Sequence, residues 1–207
     1  MRGSSTLDPE RRFRIGIGVA MLAGLAVRLY TVLVARPTCS PPLTGEGECF
    51  RVGGLARWYH VQSGLLADGE IFVHPDQWLA TGDLVPSALH PPGYTLFLGS
   101  FSVLGLDTAT QHRVLSSLLG CVTILLVGLL GRQLGGRRVG LIAAGVAAFY
   151  PMLWINDGML QAESLYAPLA AGLLLAAHRA LRWPTTRALV PVAALVGLAA
   201  LRRGEVN

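Results

Sequence analysis

The sequence predicts an all-α, polytopic membrane protein with about five transmembrane helices and one juxtamembrane or re-entrant helix. Hydrophobic residues make up 52% of the 207 residues and charged residues only 14%, which leaves too little polar surface for a soluble globule of this size. The apolar residues are gathered into long runs, and most of the arginines flank those runs. We therefore interpret the net charge of +5 as a signal for membrane orientation, and we expect no nucleic-acid partner.

Five apolar runs are candidates for transmembrane helices: residues 13–35, 114–131, 139–155, 164–177 and 188–201. A hydrocarbon core of about 30 Å needs about 20 helical residues, so the last two runs must include flanking residues to span it. The first run follows the charged segment ERRFR. Its length and the lack of a small-residue cleavage pattern favour a retained anchor over a cleavable signal peptide. Within it, Arg28 requires either snorkelling, which is the default, or a partner.

The basic segments between these runs predict the orientation. RRFR at 11–14, GRQLGGRR at 131–138 and HRALRWPTTR at 178–187 belong in the cytoplasm by the positive-inside rule. The prediction is thus a multi-pass plasma-membrane protein with a cytoplasmic N-terminus. Residues 36–113 then form a first external loop that contains juxtamembrane helices.

Residues 91–105, PPGYTLFLGSFSVLG, are apolar but short. If they crossed the bilayer, GRQLGGRR would lie outside and the acidic segment NDGMLQAES inside, which reverses the charge bias. We therefore predict a juxtamembrane or re-entrant helix that starts at Pro91 and Pro92, where a missing backbone N–H costs nothing. The alternative is an ordinary short transmembrane helix.

Two cysteines share the hydrophilic part of the first loop. Cys39 and Cys49 can form a disulfide if this loop faces an oxidising compartment, or they can remain free. Cys121 lies within an apolar run. Acidic and aromatic residues are also concentrated in this loop, which indicates an ordered wall or lid of an active site.

Four segments together resemble a known family: GLARWYHVQSGLLADGEIF at 54–72, HPPGYTLFLGSFSVLG at 90–105, the run from HRVLSSLLG to NDGMLQAESLY at 112–166, and GLAALRRGE at 197–205. In order and spacing, residues 13–205 are similar to the N-terminal part of actinobacterial proteins like glycosyltransferase family 39. These are membrane enzymes of the GT-C class, related to protein O-mannosyltransferases and to the aminoarabinose transferase of lipid A. The resemblance implies one GT-C module over residues 1–207, incomplete at its C-terminus.

The resemblance also implies a function. The donor would be a polyprenyl-phosphate-linked sugar, and the acceptor a lipid, glycan or protein on the outer face of the membrane. A carboxylate would act as general base, and arginines or a divalent metal ion would stabilise the departing phosphate. No metal ligand is assigned, and no nucleotide-binding motif is present. The alternative is a non-catalytic membrane subunit or an inactive fragment of such an enzyme.

The sequence departs from the family pattern at one catalytic carboxylate. Counted along the family pattern, the aspartate of the first external loop falls on Leu55, which cannot accept a proton. Glu46 or Glu48 then supplies the carboxylate, or catalysis is impaired. Asp157, at the place of the family's second acidic residue, is the stronger candidate. The alternative for Asp157 is a solvated helix cap.

Six further residues are candidates for substrate binding, each with a simpler alternative. Histidine and tyrosine side chains can contact a sugar or the carrier phosphate. Alternatively, they form local hydrogen bonds or lie in an aromatic belt at the membrane interface. The belt is the favoured explanation of the neighbouring Trp58. Arginines can pair with lipid phosphate or anchor the chain at the interface. An acidic residue in the first turn of a helix can simply complement the helix dipole. The six are His60, Tyr59, His90, Arg57, Arg113 and Glu163.

Overall fold

The computed structural model describes residues 8–43, 49–87 and 89–200. Glu46 and Glu48 lie outside these described residues. Within them, every regular element is a helix, and the only β-type pairings are two isolated bridges, Thr38 with Phe50 and Val73 with Pro86. The predicted all-α class is confirmed.

Eight α-helices follow one another along the described chain. They are α1 (Pro9–Tyr30), which continues as a π-helical turn (Thr31–Ala35), α2 (Leu55–Ala67), α3 (Pro75–Thr81), α4 (Pro92–Ser102), α5 (Ala109–Phe149), α6 (Pro151–Gly158), α7 (Glu163–Arg182) and α8 (Thr186–Ala200). Three of them are long and apolar enough to cross a membrane: α1 with its π-helical turn, α5 and α7. The sequence shows five apolar runs because the run 114–131 lies in α5, the run 139–155 continues from α5 into α6, and the last run falls in the shorter α8.

Helix α5 is a helical hairpin. Its 41 residues are interrupted at Gly135 and Gly136, and Gly136 has φ of 80°, a conformation that glycine adopts without a steric penalty. The first arm, residues 109–134, and the second arm, residues 137–149, then pack against each other over small residues. A Cβ atom built on Gly128 would lie 3.1 Å from the Cβ atom of Ala144. The predicted basic segment GRQLGGRR forms the turn of this hairpin.

The prediction of one continuous helix over residues 139–155 is wrong. The helix ends at Phe149, and α6 begins at Pro151. Proline has no N–H to donate and disfavours helical geometry in the residue before it, and Tyr150 indeed has an extended ψ of 116°. Asp157 consequently lies on a separate short helix rather than at the end of a long one.

Helix α4 begins where the sequence predicted, at Pro92 with Pro91 as the N-cap residue. Its 11 residues extend about 16 Å, well short of a hydrocarbon core of about 30 Å. Tyr94 and Leu98 are buried against Trp58 and Tyr59 of α2, so α4 is fixed to another short helix. In the described residues between α1 and α5 there are three short helices, α2, α3 and α4, and their position relative to the membrane stays a prediction.

A disulfide and a helix cap lie in the segment between α1 and α5. Cys39 and Cys49 form a disulfide, whereas Cys121 is a buried free thiol. Helix α5 begins at Ala109, four residues before the predicted loop ends at 113. It begins there because Thr108 and Gln111 form a capping box, in which each side chain satisfies the other residue's backbone N–H.

Helix α1 packs along the hairpin of α5. Phe13 and Ile17 of α1 form an apolar core with Ile124 of the first arm and with Ala144 and Ala148 of the second. Small residues on the second arm let the helices approach closely, as is common in membranes. This packing brings the C-terminal end of α1 next to the first arm of α5 and to α6, where the buried polar residues meet.

Candidate active site

A buried ion pair lies at the centre of the candidate site. Arg28 of α1 donates from Nε to Oδ2 of Asp157 on α6 at 2.7 Å, and the two residues are only 1% and 3% exposed. Arg28 Nη1 also donates to the carbonyl oxygens of Gly24 and Ala148. The expectation that Arg28 snorkels is therefore wrong, because a partner is available inside the protein.

Gly120 on the first arm of α5 makes room for this pair. A Cβ atom at position 120 would overlap both the Asp157 carboxylate and the Arg28 guanidinium. Only glycine fits there without displacing one of the two side chains. The pair is thus held by three helices, α1, α5 and α6.

Burial has a large effect on the Asp157 carboxyl group. Loss of solvation raises the pKa of Asp157 to about 6, although hydrogen bonding and charge from Arg28, together with Ser164, favour the ionised form. A carboxyl group with a pKa near the working pH is suited to accepting a proton. The environment of Asp157 therefore differs from that of the solvated helix cap considered as the alternative.

Asp157 also lines a cleft of about 230 Å³ between the first arm of α5, α6 and α7. The polar part of its lining consists of Thr123, Asn156, Asp157, Glu163 and Tyr166. Apolar side chains such as Met152 and Leu153 form the remainder. Of the candidates in the described residues, this cleft brings together Asp157 and Glu163, the two carboxylates of the second acidic segment.

Tyr59 and His90 lie in an aromatic cluster next to this region. The Tyr59 ring is 6.0 Å from the His90 ring and 5.0 Å from that of Tyr94, measured between centroids. The Tyr94 hydroxyl is 2.6 Å from Ser116 Oγ on α5. Burial raises the pKa of Tyr94, and the negative charge of Asp157 adds to the rise. Tyr94 thus connects the aromatic cluster to Ser116 on the first arm of α5.

Sequence reasoning missed Tyr94. The signal for it was its position in HPPGY, one turn into a helix whose start was already predicted. Trp58 was misinterpreted, since its side chain is 4% exposed and its Nε1 donates to Gln62 Oε1 at 3.0 Å. Because protein encloses the ring, Trp58 does not belong to an aromatic belt.

His60 faces the hairpin rather than the cleft. Its Nδ1 lies 3.2 Å from Nδ1 of His112, and His112 Nε2 lies 3.0 Å from Ser102 Oγ. Burial lowers the pKa of His60, and Asp107 partly opposes this effect. His60 therefore joins α2 to α4 and α5 through a buried polar cluster.

The two arginine candidates already have partners within the protein. Arg113 is 1% exposed, donates to the carbonyl oxygens of Gly158 and Val32 and to Thr38 Oγ1, and stacks on Phe50 at 4.3 Å. Arg57 forms a half-exposed ion pair with Asp76 at 2.8 Å. Arg113 thus positions the end of α6 beside the π-helical turn, while Arg57 is closer to solvent.

The remaining predicted carboxylate position is occupied by leucine. Leu55 is the first residue of α2 and is 42% exposed. Within residues 8–43, 49–87 and 89–200, no group of three histidine, cysteine or acidic residues has the arrangement of a metal site.

Comparison with known proteins identifies the family. A family model described as dolichyl-phosphate-mannose-protein mannosyltransferase matches residues 89–206, which is more than half of the chain and includes α4 to α8. No curated protein and no solved structure matches the sequence. The chain therefore belongs to the dolichyl-phosphate-mannose-protein mannosyltransferase family, a group of membrane glycosyltransferases of the GT-C type.

Proposed function

We propose that this protein transfers a sugar from a polyprenyl-phosphate carrier to an acceptor hydroxyl on the outer face of the membrane, with Asp157 as general base. The observation that carries the proposal is the position of Asp157. It is buried, is oriented by Arg28, and lines a cleft that also contains Glu163. Family membership supports the class of donor, because polyprenyl-phosphate sugars are the donors that this family implies.

The proposed step uses Asp157 as the proton acceptor. As the acceptor hydroxyl oxygen forms a bond to the anomeric carbon of the sugar, its proton moves to the Asp157 carboxylate. The bond between the anomeric carbon and the phosphate oxygen breaks, and polyprenyl phosphate leaves with its electron pair. The ion pair with Arg28 fixes the carboxylate in one orientation before the acceptor arrives.

The aromatic cluster is the proposed contact for the donor. The Tyr59 ring lies against the rings of both His90 and Tyr94, and Tyr94 is hydrogen-bonded to Ser116 on the first arm of α5. This arm also lines the cleft at Asp157, so we place the donor phosphate near His90 and its sugar towards that cleft. Glu163 is proposed to accept hydrogen bonds from sugar or acceptor hydroxyl groups, since it lines the same cleft. Arg113 remains a predicted lipid-phosphate ligand, and its described contacts favour a positioning role.

Two features support the outer-face assignment, the Cys39–Cys49 disulfide and the distribution of basic residues. A disulfide such as Cys39–Cys49 persists in an oxidising environment, which for a plasma-membrane protein is the external side. The same orientation places the basic hairpin turn and the N-terminus of α1 in the cytoplasm.

One observation favours a second candidate, a non-catalytic membrane subunit. Leu55 occupies the start of α2, where the resemblance leads us to expect a catalytic aspartate. A protein that acts only as an assembly partner has no need of a carboxylate at this position. The two candidates differ in whether the purified protein turns over a donor.

Reconstituted transfer distinguishes the two candidates. The protein is placed in liposomes with polyprenyl-phosphate mannose and, in parallel, polyprenyl-phosphate pentoses and other hexoses. We expect release of polyprenyl phosphate and labelling of an added acceptor extract from the lipid-linked donors, and no labelling of the extract when GDP-mannose is the donor. If no polyprenyl-phosphate sugar is consumed by protein whose Cys39–Cys49 disulfide is intact, the subunit candidate replaces the enzyme.

A further inference from the structure

We propose that a second site, at the opposite end of the helices from Asp157, binds the phosphate of an anionic phospholipid. The site is a cleft of about 490 Å³ between the start of α1 and the turn of the α5 hairpin. We call it the basic cleft, and its lining consists of Pro9, Arg12, Phe13, Gly135, Arg137, Arg138 and Leu141.

The charge of the basic cleft is strongly positive. Three of its lining residues are arginines, and one of them, Arg137, pairs with Glu10 at 3.5 Å. Glu10 is already engaged by Arg132, which donates to both of its carboxylate oxygens at 2.8 and 2.9 Å. In the part of the chain that the structure describes, no ion pair joins Arg12 or Arg138 to a carboxylate. These two guanidinium groups are therefore available to an anion.

The walls of the basic cleft are fixed in place. Arg132 pairs with Glu10 of α1 and also lies over the Phe13 ring, 4.7 Å from its centroid. These contacts tie the start of α1 to the end of the first arm of α5. The two helix ends that carry Arg12 and Arg138 are therefore held together before a phosphate binds.

The apolar part of the lining favours a lipid phosphate over a free phosphate ion. Phe13 and Leu141 form an apolar floor beneath the arginines. Next to them the hairpin exposes Leu134, Val139 and Ile142, which are 63%, 43% and 67% exposed. In a membrane protein these side chains face acyl chains. A phospholipid places its phosphate among the arginines and its glycerol and acyl chains against this surface.

The basic cleft is separate from the proposed sugar transfer. None of its lining residues belongs to the cleft at Asp157 or to the aromatic cluster. Arginines at this end of the helices also serve as an orientation signal, which requires no bound lipid. Lipid binding must therefore be measured on the folded protein rather than inferred from orientation.

The test uses the full-length protein purified in a neutral detergent. Binding of dioleoyl-phosphatidylglycerol is measured by native mass spectrometry as a function of lipid concentration, with dioleoyl-phosphatidylcholine and inorganic phosphate as comparison ligands. The variant carries R12Q and R138Q. The control, R182Q, removes one positive charge at the basic end of α7, outside the basic cleft.

We expect saturable binding of phosphatidylglycerol, at least tenfold tighter than that of phosphatidylcholine. Each arginine near an anionic headgroup contributes about fivefold in affinity, so the double variant should bind roughly 25-fold more weakly. R182Q should bind as the wild type does. The proposal is overturned if R182Q weakens binding as much as the double variant, if the two lipids bind equally, or if millimolar inorganic phosphate displaces the lipid.

Discussion

Arg28 and Asp157 are 129 positions apart in the sequence, yet their side chains form a buried hydrogen-bonded ion pair of 2.7 Å. The pair joins α1 to α6 where both pass the first arm of α5. It gives Asp157 a fixed orientation and a low-polarity environment, the two properties that the proposed general base needs. The stability of the membrane domain and the proposed chemistry therefore depend on the same contact.

The first prediction concerns the glycine beside the ion pair. Gly120→Ala should displace Arg28 or Asp157, because the added methyl group overlaps both. We expect a loss of about 2 kcal/mol or more in the free energy of unfolding, measured by titration with a denaturing detergent. Gly145→Ala is the matched control, since nothing lies within 4 Å of a Cβ atom there. Equal effects of the two variants would refute the crowding at Gly120.

The second prediction concerns removal of either charge from the ion pair between Arg28 and Asp157. Arg28→Met leaves the Asp157 carboxylate buried without its cation, and Asp157→Leu leaves Arg28 without its anion. Each single variant should lose about 3 kcal/mol of unfolding free energy, because an unpaired buried charge is costly. The double variant should lose less than the sum of the two. A double-mutant cycle measures this coupling, and strictly additive losses would mean that the two side chains do not interact.

The third prediction concerns pH. The pKa of His60 is lowered by burial, so the folded protein favours the neutral imidazole. The stabilisation from His60 is present above the unfolded pKa of about 6.5 and is lost as the pH falls through the lowered folded pKa. Protonation also places positive charge 3.2 Å from His112 Nδ1. The thermal midpoint of the wild type should therefore approach that of His60→Gln as the pH falls from 7 to 5. Parallel midpoint curves would contradict this account.

The fourth prediction concerns membrane orientation. Cys39 and Cys49 lie in the segment that we place outside the cell. A membrane-impermeant reductant added to intact cells, followed by an impermeant maleimide, should label both cysteines. Cys121 is buried and should react only after denaturation. Labelling of Cys39 and Cys49 that requires permeabilised cells would reverse the orientation and remove the outer-face assignment.

Local rules in the sequence predicted several parts of the structure correctly. The start of α4 at Pro91 and Pro92 follows from the missing N–H of proline. For Cys39 and Cys49 the sequence left a disulfide and a free pair open, and the structure contains the disulfide. The break at Pro151 follows from the same proline rule, but the apolar run 139–155 concealed it. Periodicity and hydropathy describe a run of residues, and they do not show where a helix stops within that run.

The candidate site was harder to predict because it depends on contacts between distant parts of the chain. Nothing near Arg28 in the sequence indicates Asp157 as its partner, so snorkelling was the simpler expectation. The internal partners of Arg113 come from α6 and from the end of α1, again far away in the sequence. Asp157 itself was selected because it lies at the outer end of a predicted helix, where the resemblance implies the family's second acidic residue, and its catalytic role stays a prediction.

The pH dependence of sugar transfer by wild type, Asp157→Asn and Asp157→Glu tests the central claim most directly. Release of polyprenyl phosphate by the wild type should fall as the pH drops below about 6, because protonated Asp157 cannot accept the acceptor proton. Asp157→Asn should reduce the transfer rate at least 100-fold at pH 7. Asp157→Glu should retain measurable transfer, and its rate should also fall at acidic pH as the glutamate is protonated. Transfer by folded Asp157→Asn at a wild-type rate, with the acid limb unchanged, would contradict the assignment of Asp157 as the general base.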